Sequence, residues 1–159
     1  MSVSIEVNGW EANLRFSAAH FIPGLGKCSR LHGHDYAVSL RIEGETRESI
    51  LMDFIPLKAA VREALEEVDH RILIPTRCPR ADVRKEGTSI RVQWEGKSMT
   101  VPSSDAVLCD VTDTSSEELS GFILKKVMEK VKFPDNISRV SLCLYEGPGQ
   151  GACREVALQ

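Results

Sequence analysis

Two stretches near the N-terminus follow a strict two-residue period, and they limit what this chain can become. Leu14, Phe16, Ala18 and His20 share one parity in the first stretch, and His32, His34, Tyr36, Val38, Leu40 and Ile42 share it in the second. That period belongs to strands with one buried face. The intervening Pro23, Gly24 and Gly26 mark a loop, so the two strands are expected to pair antiparallel. Three of the chain's four histidines then fall where the strands face each other. His32 and His34 leave the same face with Cα atoms about 7 Å apart, and His20 returns beside them. Three neutral imidazoles with an open fourth position are a ligand set of catalytic zinc, and imidazole also suits iron and nickel. The bland alternative is a chance cluster of surface or core histidines, against which their concentration weighs.

Farther along, Ile50 to Phe54 leads into a helix that Pro56 can open, with Leu57, Ala60, Val61, Ala64, Leu65 and Val68 as its apolar stripe and an end near Asp69-His70. From Arg77 to Glu86 the composition turns charged. Ile90, Val92 and Trp94 then alternate, Glu95-Gly96-Lys97 turns, and Met99 and Val101 alternate again. This predicts a β-hairpin, followed by a short strand from Ala106 to Val111. Thr114-Ser115-Ser116-Glu117 precedes a second amphipathic helix running to about Val131, with Thr114/Glu117 or Ser115/Glu118 as its capping box. A final hairpin joins Val140–Glu146 to Ala152–Leu158 through Gly147-Pro148-Gly149-Gln150-Gly151. The pattern is that of one α+β domain over residues 1–159, with 76–111 inserted in it.

A chain of 159 residues can bury about 70% of its unfolded surface in a single core. A net charge of -3 offers no basic face for nucleic acid. No apolar run approaches a membrane span, and Met1 to Glu6 lacks the pattern of a signal peptide. A cytoplasmic protein with no nucleic-acid or membrane partner is expected. Five cysteines at irregular spacing point to reduced thiols. Cys143 and Cys153, symmetric about Pro148, should face each other as structural thiols on the face opposite Glu146.

Six segments, in order, carry a resemblance to a known family: Phe16-Ser17-Ala18-Ala19-His20, Cys28-x3-His32-Gly33-His34, Leu51-Met52-Asp53-Phe54, Val68-Asp69-His70, Ser115-Ser116-Glu117 and Tyr145-Glu146. The chain resembles the 6-pyruvoyl-tetrahydropterin synthase / 6-carboxy-5,6,7,8-tetrahydropterin synthase family over most of its length, failing only across the insertion. The resemblance implies a tunnelling fold, an antiparallel sheet with two helices packed on one face, here with an inserted β-hairpin. It also implies a homo-oligomer, a hexamer built as a dimer of trimers, with sites at subunit interfaces.

By the same resemblance, His20, His32 and His34 hold Zn2+, Cys28 is the catalytic base, and Asp69 with His70 forms a carboxylate–imidazole acid/base pair. Glu146 anchors a small-molecule pterin, with Ser115, Ser116 and Glu117 of a neighbouring subunit assisting. Each residue also has a plainer role. Cys28 could be a buried loop thiol, His70 could meet helix-end carbonyls, Glu146 could close a strand, and the Ser-Ser-Glu run could cap a helix. Asp53 could be a cap or a partner of the site.

The three-residue gap between Cys28 and His32 resembles the microbial carboxy enzymes, since the animal pyruvoyl enzymes have a longer one. The implied reaction is zinc-dependent conversion of 7,8-dihydroneopterin triphosphate to 6-carboxy-5,6,7,8-tetrahydropterin, toward queuosine or archaeosine. The alternatives are a 6-pyruvoyl-tetrahydropterin synthase or a variant pterin side-chain lyase, since the insertion is placed to affect substrate choice. A folate-route branch carries glutamate in place of the cysteine, which Cys28 opposes. A non-enzyme alternative is a structural zinc-binding module with Cys28 as fourth ligand.

Overall fold

The computed structural model describes residues 1–158. In chain order the elements are β1 (Val3–Val7), β2 (Arg15–His20), β3 (His32–Gly44), α1 (Phe54–Glu66), β4 (Arg71–Pro75), β5 (Ala81–Glu86), β6 (Ser89–Trp94), β7 (Lys97–Pro102), β8 (Ala106–Cys109), α2 (Ser116–Lys130), β9 (Ile137–Gly147) and β10 (Gln150–Ala157). Seven strands make the main sheet in the order β10-β9-β3-β2-β4-β8, with β1 also on β3, and β5-β6-β7 form a separate sheet.

The long β3 organises the domain. One edge pairs with β2 near its start and with β1 near its end, and the other edge pairs with β9. Its even residues Tyr36, Val38, Leu40 and Ile42 are buried, as are Val140, Leu142 and Leu144 of β9. Leu57, Val61, Ala64 and Leu65 of α1 and Leu119, Ile123, Leu124 and Val127 of α2 belong to the same core. Both helices therefore cover one face, with Lys126 of α2 bonded to Glu67 just past α1 at 2.6 Å. The opposite face is left to side chains such as Ser39, Arg41 and Cys143, which line a shallow groove.

The architecture is α+β as the periodicity indicates, but the sheet is mixed. β4 pairs parallel with β2 and with β8, because the chain crosses over between those strands instead of turning back. The apolar run Ile72-Leu73-Ile74 that forms β4 is too short to show a period, and β1 is a short edge strand whose apolar Val3, Ile5 and Val7 alternate with Ser4 and Glu6, with Val7 alone buried. The predicted inserted hairpin is a three-stranded sheet. Its extra strand, β5, comes from the charged segment before it and pairs with β6 from Ala81↔Trp94 to Glu86↔Ser89.

α1 starts two residues before Pro56, because the Asp53 carboxylate accepts from the Ile55 N–H at 2.8 Å and caps the helix. Pro56 is third in the helix, where its missing N–H is still not needed. The cysteine expectation needs correction. Cys143 and Cys153 are directly opposed in the β9–β10 register, with Cα atoms 4.0 Å apart, and form a disulfide. Cys28, Cys78 and Cys109 are free. Among the described residues no helix is long and apolar enough to cross a membrane.

Asp53 has a capping role and, among the described residues, no hydrogen bond or ion pair with the histidines. Asp53→Ala is expected to lower stability by about 1 kcal/mol in urea unfolding, with metal content unchanged.

Candidate active site

The β2–β3 register sets His20 opposite His32 and Ala18 opposite His34. All three imidazoles therefore leave the helix-covered face at the same end of the sheet. Their ring centroids are 4.6 Å apart for His20–His32 and 5.0 Å apart for the other two pairs. One ring nitrogen from each lies within 4.8 Å of the others, so a single metal ion can be held between them.

The hydrogen bonds behind the rings set their tautomers. The Thr114 carbonyl lies 2.8 Å from His20 Nδ1, and the Arg30 carbonyl lies 2.6 Å from His32 Nδ1. Each Nδ1 must carry a proton to donate, which leaves Nε2 with a free lone pair. Nε2 of His20 and of His34 is buried without a partner among the described residues. Buried polar atoms are normally satisfied, so convergent orphaned acceptors fit a cation.

Thr114 has no conspicuous sequence signal beyond its place before a helix. It is fully buried, and its hydroxyl donates to the Phe21 carbonyl at 2.9 Å while its own carbonyl orients His20. Thr114 is thus not the helix cap. Ser115 is: its hydroxyl accepts from the Glu118 N–H at 3.4 Å. Glu118 reaches the Thr112 N–H instead of completing a capping box. Ser116 and exposed Glu117 open α2, two and three residues after the Thr114 carbonyl that meets His20.

Cys28 is half-buried in a 3-10 turn, Gly26–Ser29, and is not part of the three-histidine group. Glu146 is half-buried near the end of β9, without a hydrogen-bond partner among the described residues, near enough to Tyr36 to help push that phenol's pKa up, after burial itself. The Tyr36 hydroxyl is also buried and unpartnered. Asp69 and His70 are held on β2, where Asp69 accepts from the Ser17 N–H at 2.8 Å and His70 donates its N–H to the Ser17 carbonyl at 2.7 Å. Asp69 Oδ2 lies 2.9 Å from His70 Nδ1, which fixes the imidazole. His70 has a φ of 57° and its side chain is 82% exposed. Within one protomer it is not one of the three grouped histidines, and it lines a cavity of about 430 Å³ with Ser17, Ala19, Asp35 and the cage residue His34.

The sequence profile of the 6-pyruvoyl tetrahydropterin synthase family matches residues 11–155. The chain belongs to that family. A putative 6-carboxy-5,6,7,8-tetrahydropterin synthase of Methanocaldococcus jannaschii is 30% identical over 153 residues, with 94% of each chain covered. A 6-carboxy-5,6,7,8-tetrahydropterin synthase of Haemophilus influenzae is 26% identical over 140 residues, covering 84% of this chain and 88% of that one. Among solved structures, the Plasmodium vivax 6-pyruvoyltetrahydropterin synthase superposes with a TM-score of 0.91 at 25% identity, covering 99% of both chains. The chain is accordingly a tetrahydropterin-synthase-family lyase, with a three-histidine site able to bind a metal.

Burial pushes the His20 pKa down to about 4. The Thr114 carbonyl opposes this, and His32 and His34 add to it. Because the folded state resists a proton that the unfolded chain accepts near 6.5, the metal-free protein loses stability as pH falls from about 6.5 toward about 4. Urea midpoints measured across that range should fall more steeply for the parent chain than for His20→Leu, which has no imidazole to titrate.

Proposed function

We propose that this chain is a zinc-dependent 6-carboxy-5,6,7,8-tetrahydropterin synthase. In this reading it converts 7,8-dihydroneopterin triphosphate and water to 6-carboxy-5,6,7,8-tetrahydropterin, acetaldehyde and triphosphate, on the route to queuosine or archaeosine. The supporting observation is the imidazole cage, with two carbonyl-fixed tautomers and free Nε2 atoms facing inward. The names of the Methanocaldococcus and Haemophilus relatives favour the carboxy product. The name of the Plasmodium neighbour makes the pyruvoyl product the second reading.

In this reading His20, His32 and His34 hold Zn2+ as neutral imidazoles, with the Nδ1 protons of His20 and His32 held by backbone carbonyls. Zinc, when bound, supplies a Lewis acid that makes side-chain hydroxyls of the substrate more acidic. Cys28 takes a side-chain proton as thiolate. Asp69 holds the His70 imidazole in one tautomer, so that its other nitrogen can accept or give a proton. The Glu146 carboxylate, which has no partner among the described residues, accepts paired N–H bonds from the pterin ring. Ser115, Ser116 and Glu117 offer further polar groups at the start of α2.

The placement of His70 supports a homo-oligomer. An exposed imidazole, pre-oriented by Asp69 yet outside its own cage, is available to a site formed with a neighbouring subunit. The outermost main-sheet strands, β10 and β8, offer edges through which subunits could join. A hexamer of two trimers and a cytoplasmic location belong to the same proposal.

Incubating zinc-loaded protein with 7,8-dihydroneopterin triphosphate and identifying the products tests the assignment. Acetaldehyde with a 6-carboxypterin is the expected outcome; a 6-pyruvoyl product selects the second reading, and no consumption overturns both. Cys28→Ala should keep its zinc while kcat falls by at least about a hundredfold. Loss of zinc in that variant would assign Cys28 to the metal instead.

A further inference from the structure

The sheet β5–β7 is more than an appendage, because its core is continuous with the loop that carries Cys28. Ile90, Val92 and Trp94 pack with Ile74, Ala106 and Phe21, and Phe21 directly follows His20. The Trp94 ring stacks on Phe21 with centroids 4.3 Å apart and 26° between planes, and its Nε1–H donates to the Ser29 carbonyl at 2.8 Å.

The β6–β7 turn adds a polar grip. The Glu95 carboxylate accepts from the Gly24 N–H at 2.6 Å and from the hydroxyl of buried Ser29. Lys97 Nζ donates to the Ser29 carbonyl at 3.3 Å and pairs with Glu95 at 3.5 Å. Arg80 donates to the Pro23 carbonyl at 3.2 Å. Its guanidinium sits so close to Gly24, at φ 85°, that a Cβ there would collide with it. Residues on both sides of Cys28 are thus anchored to the small sheet. Inside the loop, backbone bonds join Ile22 N–H to the Cys28 carbonyl at 2.8 Å and Cys28 N–H to the Leu25 carbonyl at 2.9 Å.

Glu95 itself adopts φ 49°, a left-handed conformation uncommon outside glycine. The Ser29 hydroxyl first, and then the Gly24 N–H, hold its carboxyl below the usual carboxylate range. A charged acceptor of two convergent donors makes stronger hydrogen bonds than a neutral one.

We propose that β5–β7 is the scaffold of the Cys28 loop and that Glu95 is a positioning residue for Cys28. Proton abstraction needs the thiolate within hydrogen-bond reach of its target, and a displacement of 1 Å can cost about a hundredfold in rate. The proposal rests on the catalytic reading of Cys28. It gives the inserted strands a role in turnover without any contact with substrate.

The test compares Glu95→Ala, Glu95→Gln and Glu86→Ala in the full zinc-loaded chain, with 7,8-dihydroneopterin triphosphate as substrate. Glu86 lies at the opposite turn of the same sheet and serves as control. Glu95→Ala should lower kcat by about tenfold or more while KM stays within about twofold and zinc content is unchanged. Hydrogen–deuterium exchange should speed up over 21–31 and stay unchanged over 137–147. Glu95→Gln, which keeps one acceptor oxygen, should recover much of the turnover, and Glu86→Ala should match the parent. Unchanged exchange over 21–31, or a Glu95→Ala kcat equal to that of the control, overturns the proposal. So does a raised KM at constant kcat. An inactive parent chain whose 21–31 exchange still responds to Glu95→Ala overturns the assigned reaction and supports the loop scaffold.

Discussion

Everything at the site depends on the register between β2 and β3. Setting His20 opposite His32 and Ala18 opposite His34 is the arrangement that puts three imidazoles on one face at one end of the sheet. A slip by one residue would turn one strand's set to the other face, leaving too few ligands together. The register is itself held by burial, because Phe16 and Ala18 of β2 and Tyr36, Val38, Leu40 and Ile42 of β3 fill the core under the helices on that same face. Core and metal site therefore share one parity, and the hydrophobic effect that forms the sheet also assembles the cage.

That coupling has an energetic consequence. The fully buried His20 imidazole is costly to protonate, and its pKa near 4 expresses the cost. The carbonyls of Thr114 and Arg30 hold the Nδ1 protons of His20 and His32, so that in the neutral rings the lone pair is on Nε2. Those two backbone groups lie at the start of α2 and in the loop before β3, so the cage is aligned from outside the strands that bear its ligands. Residues behind a ligand shell often matter nearly as much as the ligands themselves.

The main strands, the two helices and the histidine set were legible in the sequence because period and parity encode them. What was not legible depends on contacts between distant segments. β4 is a short apolar run that a single sequence cannot assign to strand or helix. β5 is charged because only one side of it meets the core. The Cys143–Cys153 opposition could be read from symmetry about Pro148, but the covalent bond follows from the close Cα approach of directly paired strands. Thr114, Trp94 and Glu95 reach across 94, 65 and 71 positions respectively to His20, Ser29 and Gly24, and no local pattern announces such partners. His70 was recognisable as a partner of Asp69, but its exposure on the other side of β2 becomes clear only in three dimensions.

The central claim is a metal held by three imidazoles with its fourth position left for chemistry. X-ray absorption spectroscopy of the zinc-loaded protein tests it most directly. The account predicts three imidazole nitrogens at about 2.0–2.1 Å and an oxygen, with no sulfur in the first coordination sphere. A sulfur at about 2.3 Å would make Cys28 a ligand and the metal structural, and a protein that takes up no zinc would contradict the account outright.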